Sequence, residues 1–136
     1  MPTLSAVIIT KNEEARLQKA LSSVRPFVDE IIVVDDMSTD ATCSIAEREF
    51  GAKVLRRPLA GNFADQRNAG ADAATNDWIL QMDADEIFPP ETMTRIRAVL
   101  GENRWDGIAL RRLNHFVGRP LRYCASDAGM VRVYRR

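Results

Sequence analysis

The chain has 136 residues, 46% of them apolar, which suits one domain with a real core. Nineteen basic side chains balance nineteen acidic ones, so no overall field recruits nucleic acid or an anionic membrane. Two distant cysteines, Cys43 and Cys124, lack metal-ligand spacing and read as free thiols of a reducing compartment. The opening MPTLSAVIITKNEE has neither a basic n-region nor a long apolar h-region. No apolar run reaches the roughly 18 residues that span a bilayer. The expected location is cytoplasmic, with peripheral association at the inner face of the membrane left open.

LSAVIIT, residues 4–10, is a β-branched apolar run and predicts the first strand. Leu17, Ala20, Leu21 and Val24 then form one helical stripe, with Thr10 or Asn12 as cap, Glu13 and Glu14 in the first turn, and Pro26 as the stop. EIIVVDD, residues 30–36, predicts the second strand. Asp40 opens a second helix over ATCSIAEREF, and Gly51 ends it. KVLRR predicts a short third strand, PLAGN a loop, and the Ala-rich FADQRNAGADAAT a closely packing third helix. DWILQM, residues 77–82, predicts the fourth strand. PPETMTRIRAVL predicts a helix with Met93, Ile96, Val99 and Leu100 inward, closed by Gly101. DGIALRR and MVRVYRR predict later strands, antiparallel or at an edge. Strands alternating with helices give an α/β class: a mainly parallel sheet flanked by helices on both faces. Residues 1–110 read as the core and 111–136 as the start of a further region of the same domain.

In an open parallel sheet, ligands bind at the carboxyl ends of the strands. Here those ends carry Thr10-Lys11-Asn12, Asp35-Asp36 and Asp83-Ala84-Asp85-Glu86. Neither G-x-G-x-x-G nor G-x-x-x-x-G-K-[ST] occurs, so no glycine cradle is available for phosphates. Asp83 and Asp85 can instead hold a hard divalent cation, Mg²⁺ or Mn²⁺, completed by water and phosphate oxygens. The cation with its diphosphate would then neutralise a knot of carboxylates that follows a buried strand. From Arg111 to Arg136 the chain carries seven arginines and one acid, Asp127. That tail reads either as a solvated basic surface or as a face turned toward phosphate or an anionic acceptor.

The blocks SAVIITKNEEARLQKALSSV, DEIIVVDDMSTDAT and FADQRNAGADAATNDWILQMDADE together resemble family 2 glycosyltransferases of the GT-A fold. The branch most similar contains bacterial lipopolysaccharide-core glucosyltransferases. The resemblance implies that Thr10, Lys11 and Asn12 form the loop around the nucleoside and that Asp36 accepts from the base, usually uracil. It implies that Arg67 lies near base and diphosphate, that Asp83 contacts ribose or metal, and that Asp85 is the direct metal ligand of a DXD motif. The competing reading makes Asp36 a helix-dipole charge, Arg67 a surface arginine and Asp85 a solvated loop carboxylate. Glu86 is open between support of the site and a helix-start charge.

The implied activity is metal-assisted transfer from a nucleotide-diphosphate sugar, a UDP-sugar, to a glycan or lipid-linked acceptor of the cell envelope, with inversion. The family's general base is expected beyond Arg136, in an acceptor-binding half that members carry downstream. The chain then reads as truncated at its C-terminus, binding donor but transferring poorly, with an exposed core that favours self-association. Asp127 could orient an acceptor, although a turn role fits it better, and the lone histidine His115 reads as structural. Two rivals remain: a nucleotidyltransferase acting on sugar phosphates, whose glycine- and arginine-rich first loop TKNEEARL lacks, and a nucleotide-binding module without transfer activity.

Overall fold

The computed structural model describes residues 1–120 and 129–136. Asp127, Cys124 and Arg122 lie outside the described residues. The elements are β1 (Leu4–Thr10), α1 (Glu14–Val24), β2 (Glu30–Asp35), α2 (Thr42–Phe50), β3 (Lys53–Arg56), α3 (Phe63–Ala73), β4 (Trp78–Asp83) and α4 (Pro90–Gly101). The outer elements β5 (Gly107–Leu110), β6 (His115–Phe116), β7 (Arg119–Pro120) and β8 (Met130–Arg135) follow. A 3-10 turn over Arg25–Phe27, with Pro26 inside it, separates α1 from β2.

Six strands form one sheet in the order β3-β2-β1-β4-β8-β5. The first four are parallel, and β8 runs antiparallel to both its neighbours. The sheet is thus mostly parallel, as the alternation of strands and helices implies. The chain leaves β1 for β2 on one side and returns to β4 on the other, so a topological switch point falls between β1 and β4. A crevice opens at the carboxyl ends of the strands at such a point.

Strand parity sorts the core into two layers. Leu4, Ala6 and Ile8 of β1, Ile31 and Val33 of β2, and Trp78, Leu80 and Met82 of β4 face α1, α2 and α4. Val7, Ile32, Val34 and Ile79 face the opposite way, with Ala71, Ala73 and Ala74 packed against them. Helices therefore cover both faces, and β1 is apolar on both, apart from Ser5 and Thr10, because it is buried on both. α3 sits very close. A Cβ at Gly70 would lie 2.3 Å from Val7 Cγ1 and 2.9 Å from Val34 Cγ2.

The capping of α1 differs from expectation. Thr10 is the last residue of β1 and its hydroxyl donates to Asp35 Oδ1 at 3.0 Å. Asn12 adopts a φ of 50° and its Oδ1 accepts the Thr39 N–H at 2.9 Å. The cap position is Glu13, and the Glu14 N–H is taken by Asp40 Oδ2 at 3.2 Å. Asp40 also accepts the Thr42 N–H at 3.0 Å, while Glu14 accepts the Ala41 N–H at 2.8 Å. One aspartate thereby serves two adjacent helix starts, a long-range arrangement that local capping rules do not anticipate.

The two-residue hairpin β6–β7 was not expected. His115 is exposed on it rather than packed as a structural histidine. No helix among the described residues is long and apolar enough to cross a membrane.

Candidate functional site

A cleft of about 520 Å³ lies at the switch point, lined among others by Thr10, Lys11, Asp36, Arg67, Asp83 and Asp85. Six of the seven residues singled out from sequence thus meet in one place. Asn12 does not line it. Its amide and side chain lace the β1–α1 loop to Ser38 and Thr39 of the β2–α2 loop instead.

Asp35, which ends β2, and Asp36, which follows it, have opposite duties. Asp35 is fully buried, and its carboxylate takes the Thr10 hydroxyl and the N–H and hydroxyl of Ser38. It organises the turn. Asp36 points into the cleft, accepting Lys11 Nζ at 2.8 Å on Oδ2 and the Leu59 N–H at 2.8 Å on Oδ1. The hydrogen bond from Lys11, then that from Leu59, holds the Asp36 carboxyl below the usual carboxylate range. Each oxygen keeps one lone pair for a donor from a ligand.

The opposite wall is an arginine–carboxylate cluster. Arg67 Nη2 lies 2.9 Å from Asp83 Oδ1. Arg112 Nη2 lies 2.8 Å from Glu86 Oε1 and 3.5 Å from Asp83 Oδ2. Arg132 Nη2 lies 2.9 Å from Glu86 Oε1 and 3.9 Å from Asp83 Oδ2. Three guanidinium groups therefore meet two carboxylates, and both oxygens of Asp83 face arginine. The carboxylate knot after β4 has protein counter-charges, supplied by α3, by the segment after β5 and by β8. Arg112 and Arg132 thus stand behind the cleft lining as partners of its carboxylates; Arg112 is exposed, whereas Arg132 is only 8% exposed.

Asp85 differs from its neighbours. It is exposed at the cleft and takes part in no ion pair among the described residues. Among those residues no three His, Cys, Asp or Glu side chains cluster in a way that could hold a metal. A hard cation here would therefore meet one free carboxylate and take its remaining oxygens from water and ligand.

Sequence reasoning overlooked Glu13, Leu59, Phe63 and Gln66, which also line the cleft. Gln66 is buried and its Nε2 donates to the Arg57 carbonyl at 2.9 Å, so it braces the β3–α3 connection against the helix carrying Arg67. A usable signal was present in Arg132: an arginine between Val131 and Val133 on a strand that must pack against the core needs an acidic partner.

The sequence matches Glycosyl transferase family 2 over residues 5–134. An uncharacterized glycosyltransferase of Rickettsia felis is 44% identical over 106 residues, which is 78% of this chain and 37% of that protein. This chain therefore spans well under half the length of that relative. The crystal structure of S. aureus TarS 1–349 superposes with a TM-score of 0.75 at 23% identity, covering 98% of this chain and 47% of TarS 1–349. The same protein in complex with UDP-GlcNAc gives a TM-score of 0.71 at 26% identity, over 89% of this chain and 37% of that one. The mixed, mostly parallel sheet is that of GT-A glycosyltransferases. With the family pattern covering nearly its whole length, and its polar cleft at the strand ends, the chain belongs to glycosyl transferase family 2.

Proposed function

We propose that the cleft binds a nucleotide-diphosphate sugar, a UDP-sugar, as the donor side of an inverting glycosyltransferase. One observation carries this reading. Asp36 with Lys11 on one wall, and Arg67, Asp83 and Asp85 on the other, meet in a single crevice at the switch point. The size also suits it, since pockets of roughly 300–1,000 Å³ hold ligands of this class. The TarS relative binds UDP-GlcNAc, which supports a uridine donor.

The free lone pairs of Asp36 would accept the ring N–H of the base. Lys11, next to it, and Arg67, on the other wall, would face the diphosphate. Asp85 would hold Mg²⁺ or Mn²⁺, and such an ion neutralises a leaving diphosphate. Asp83, with both oxygens on arginines, would contact ribose or orient the wall rather than bind metal directly. The acceptor would be a glycan or lipid-linked chain of the cell envelope, of lipopolysaccharide-core type, met at the inner face of the membrane by the acceptor-side region that begins at residue 111.

Calorimetric titration with UDP, with and without Mn²⁺, tests the reading. The wild type should bind more tightly with the ion, and Asp85→Ala should remove that increment. Equal binding by the wild type with metal and with chelator would refute the metal-assisted part. Pyrophosphate release from a nucleoside triphosphate and a sugar phosphate would replace the whole reading with nucleotidyl transfer.

A further inference from the structure

Glu86 touches Asp83, Arg112 and Arg132 but does not line the cleft itself. Its Oε2 accepts the Asp83 N–H at 2.9 Å. Its own N–H donates to the Asp83 carbonyl at 3.1 Å. The turn from Asp83 to Glu86 is therefore closed twice by one residue. Ala84 is buried inside it, which leaves Asp85 as the member that projects outward. Glu86 Oε1 in turn takes Arg112 at 2.8 Å and Arg132 at 2.9 Å. Arg132 stands on β8, the strand inserted antiparallel beside β4, and Arg112 follows β5. Through these two arginines the turn is clamped to the outer half of the sheet.

We propose that Glu86 is a positioning residue whose carboxylate fixes the Asp83–Glu86 turn against Arg112 and Arg132, so that Asp85 is held free and aimed at the donor diphosphate. The inference rests on the reading of the cleft as a donor site. The physics is that of a carboxylate bridging a main-chain amide and two guanidinium groups, each a charge-assisted hydrogen bond in a partly dry setting. Without its charge, three arginines would be left to Asp83 alone, and the turn would lose its outer anchor. Supporting groups of this kind change ligand affinity by about 10–100-fold although they touch no ligand.

The test uses UDP titrations with and without Mn²⁺ on wild type, Glu86→Gln and Asp85→Ala, below their melting temperatures. Glu86→Gln keeps the volume and an oxygen for the Asp83 N–H but removes the charge. It should lower the Mn²⁺-dependent increment by about tenfold and leave metal-free UDP binding within about twofold. A purely structural role would lower the melting temperature and leave that increment at its wild-type value, which would overturn the proposal while the donor reading stood. Should the wild type bind UDP with no Mn²⁺ increment, the metal-assisted part of the donor reading fails and amide exchange decides the positioning role. In Glu86→Ala the Asp83 amide, which Glu86 accepts, should then exchange about tenfold faster while those of Ile8 and Val33 are unchanged. Unchanged exchange at Asp83 would overturn it.

Discussion

Arg132 and Glu86 are 46 residues apart in the chain, yet their side chains meet at 2.9 Å, with Arg132 almost wholly buried. A buried guanidinium left without its partner costs far more than an exposed ion pair contributes. The reverse truncation, Arg132→Ala, leaves Glu86 its second arginine, Arg112. The loss should therefore be intermediate, about 2 kcal/mol, since orphaned buried charges cost about 3–5. Urea denaturation measures it, and a loss below about 0.5 kcal/mol would show the pair to be energetically idle.

Lys11 and Asp36 form the complementary contact on the other wall of the cleft, at 2.8 Å. Lys11→Met should raise the Asp36 pKa toward its ordinary value of 3.8, because the Lys11 hydrogen bond that does most to depress it is gone. The Leu59 N–H should keep some of the depression. A carboxyl depressed by folding stabilises the fold above its unfolded pKa, and that contribution disappears as pH falls through the lower folded value. Carbon-detected titration of the Asp36 carboxyl reads the shift directly; an unmoved midpoint would count against Lys11 as its cause.

Gly70 lets α3 approach β1 and β2 closely enough to carry Arg67 to Asp83. Gly70→Ala places a methyl 2.3 Å from Val7 Cγ1, deep in a packed layer where neither backbone can yield easily. Overpacking of this kind costs about 1–3 kcal/mol despite the better helix propensity of alanine. The helix should also shift outward and lengthen the Arg67–Asp83 contact, which weakens UDP binding. Chemical denaturation and calorimetry together check this, and a stabilised variant would contradict the packing argument.

Cys43 is half-buried next to Asp35. Burial first, and then the hydrogen bond and charge of Asp35, push its thiol up to about 11 from 9.0. Folding thus favours the protonated form. The contribution is fully present below pH 9.0 and is lost as pH rises through about 11. Alkylation at pH 8 should be on the order of a hundredfold slower at Cys43 than in the unfolded chain. Peptide-level mass spectrometry follows it, and equal rates in native and unfolded protein would show that the thiol is not shielded.

Much of this architecture is legible in residue order. The strand read at residues 4–10 matches β1 end to end, because a run of buried β-branched residues has no other comfortable conformation. The stripe of Leu17, Ala20, Leu21 and Val24 is buried as its spacing implies. Gly51 takes the left-handed conformation, φ 63°, that ends α2. The gathering of Thr10, Lys11, Asp36, Asp83 and Asp85 at one edge was likewise readable, since polar residues at the ends of parallel strands must share an edge. Legibility failed wherever a side chain had a choice of partners. Thr10 and Asn12 are good caps by type, but hydrogen-bond instead to Asp35 and Thr39. Nothing local separates Asp35 from Asp36; strand parity and the position of Ser38 turn one inward and leave the other to the cleft.

Order along the chain was thus sufficient for the helices, the strands, the mostly parallel sheet and the edge where polar groups gather, because periodicity and burial act over a few neighbouring residues. Folding in three dimensions chose the counter-charges. Arg112 and Arg132 reach Asp83 and Glu86 only because β8 is inserted between β4 and β5. Coulomb attraction depends on distance through space, and spacing along the backbone contains no record of it.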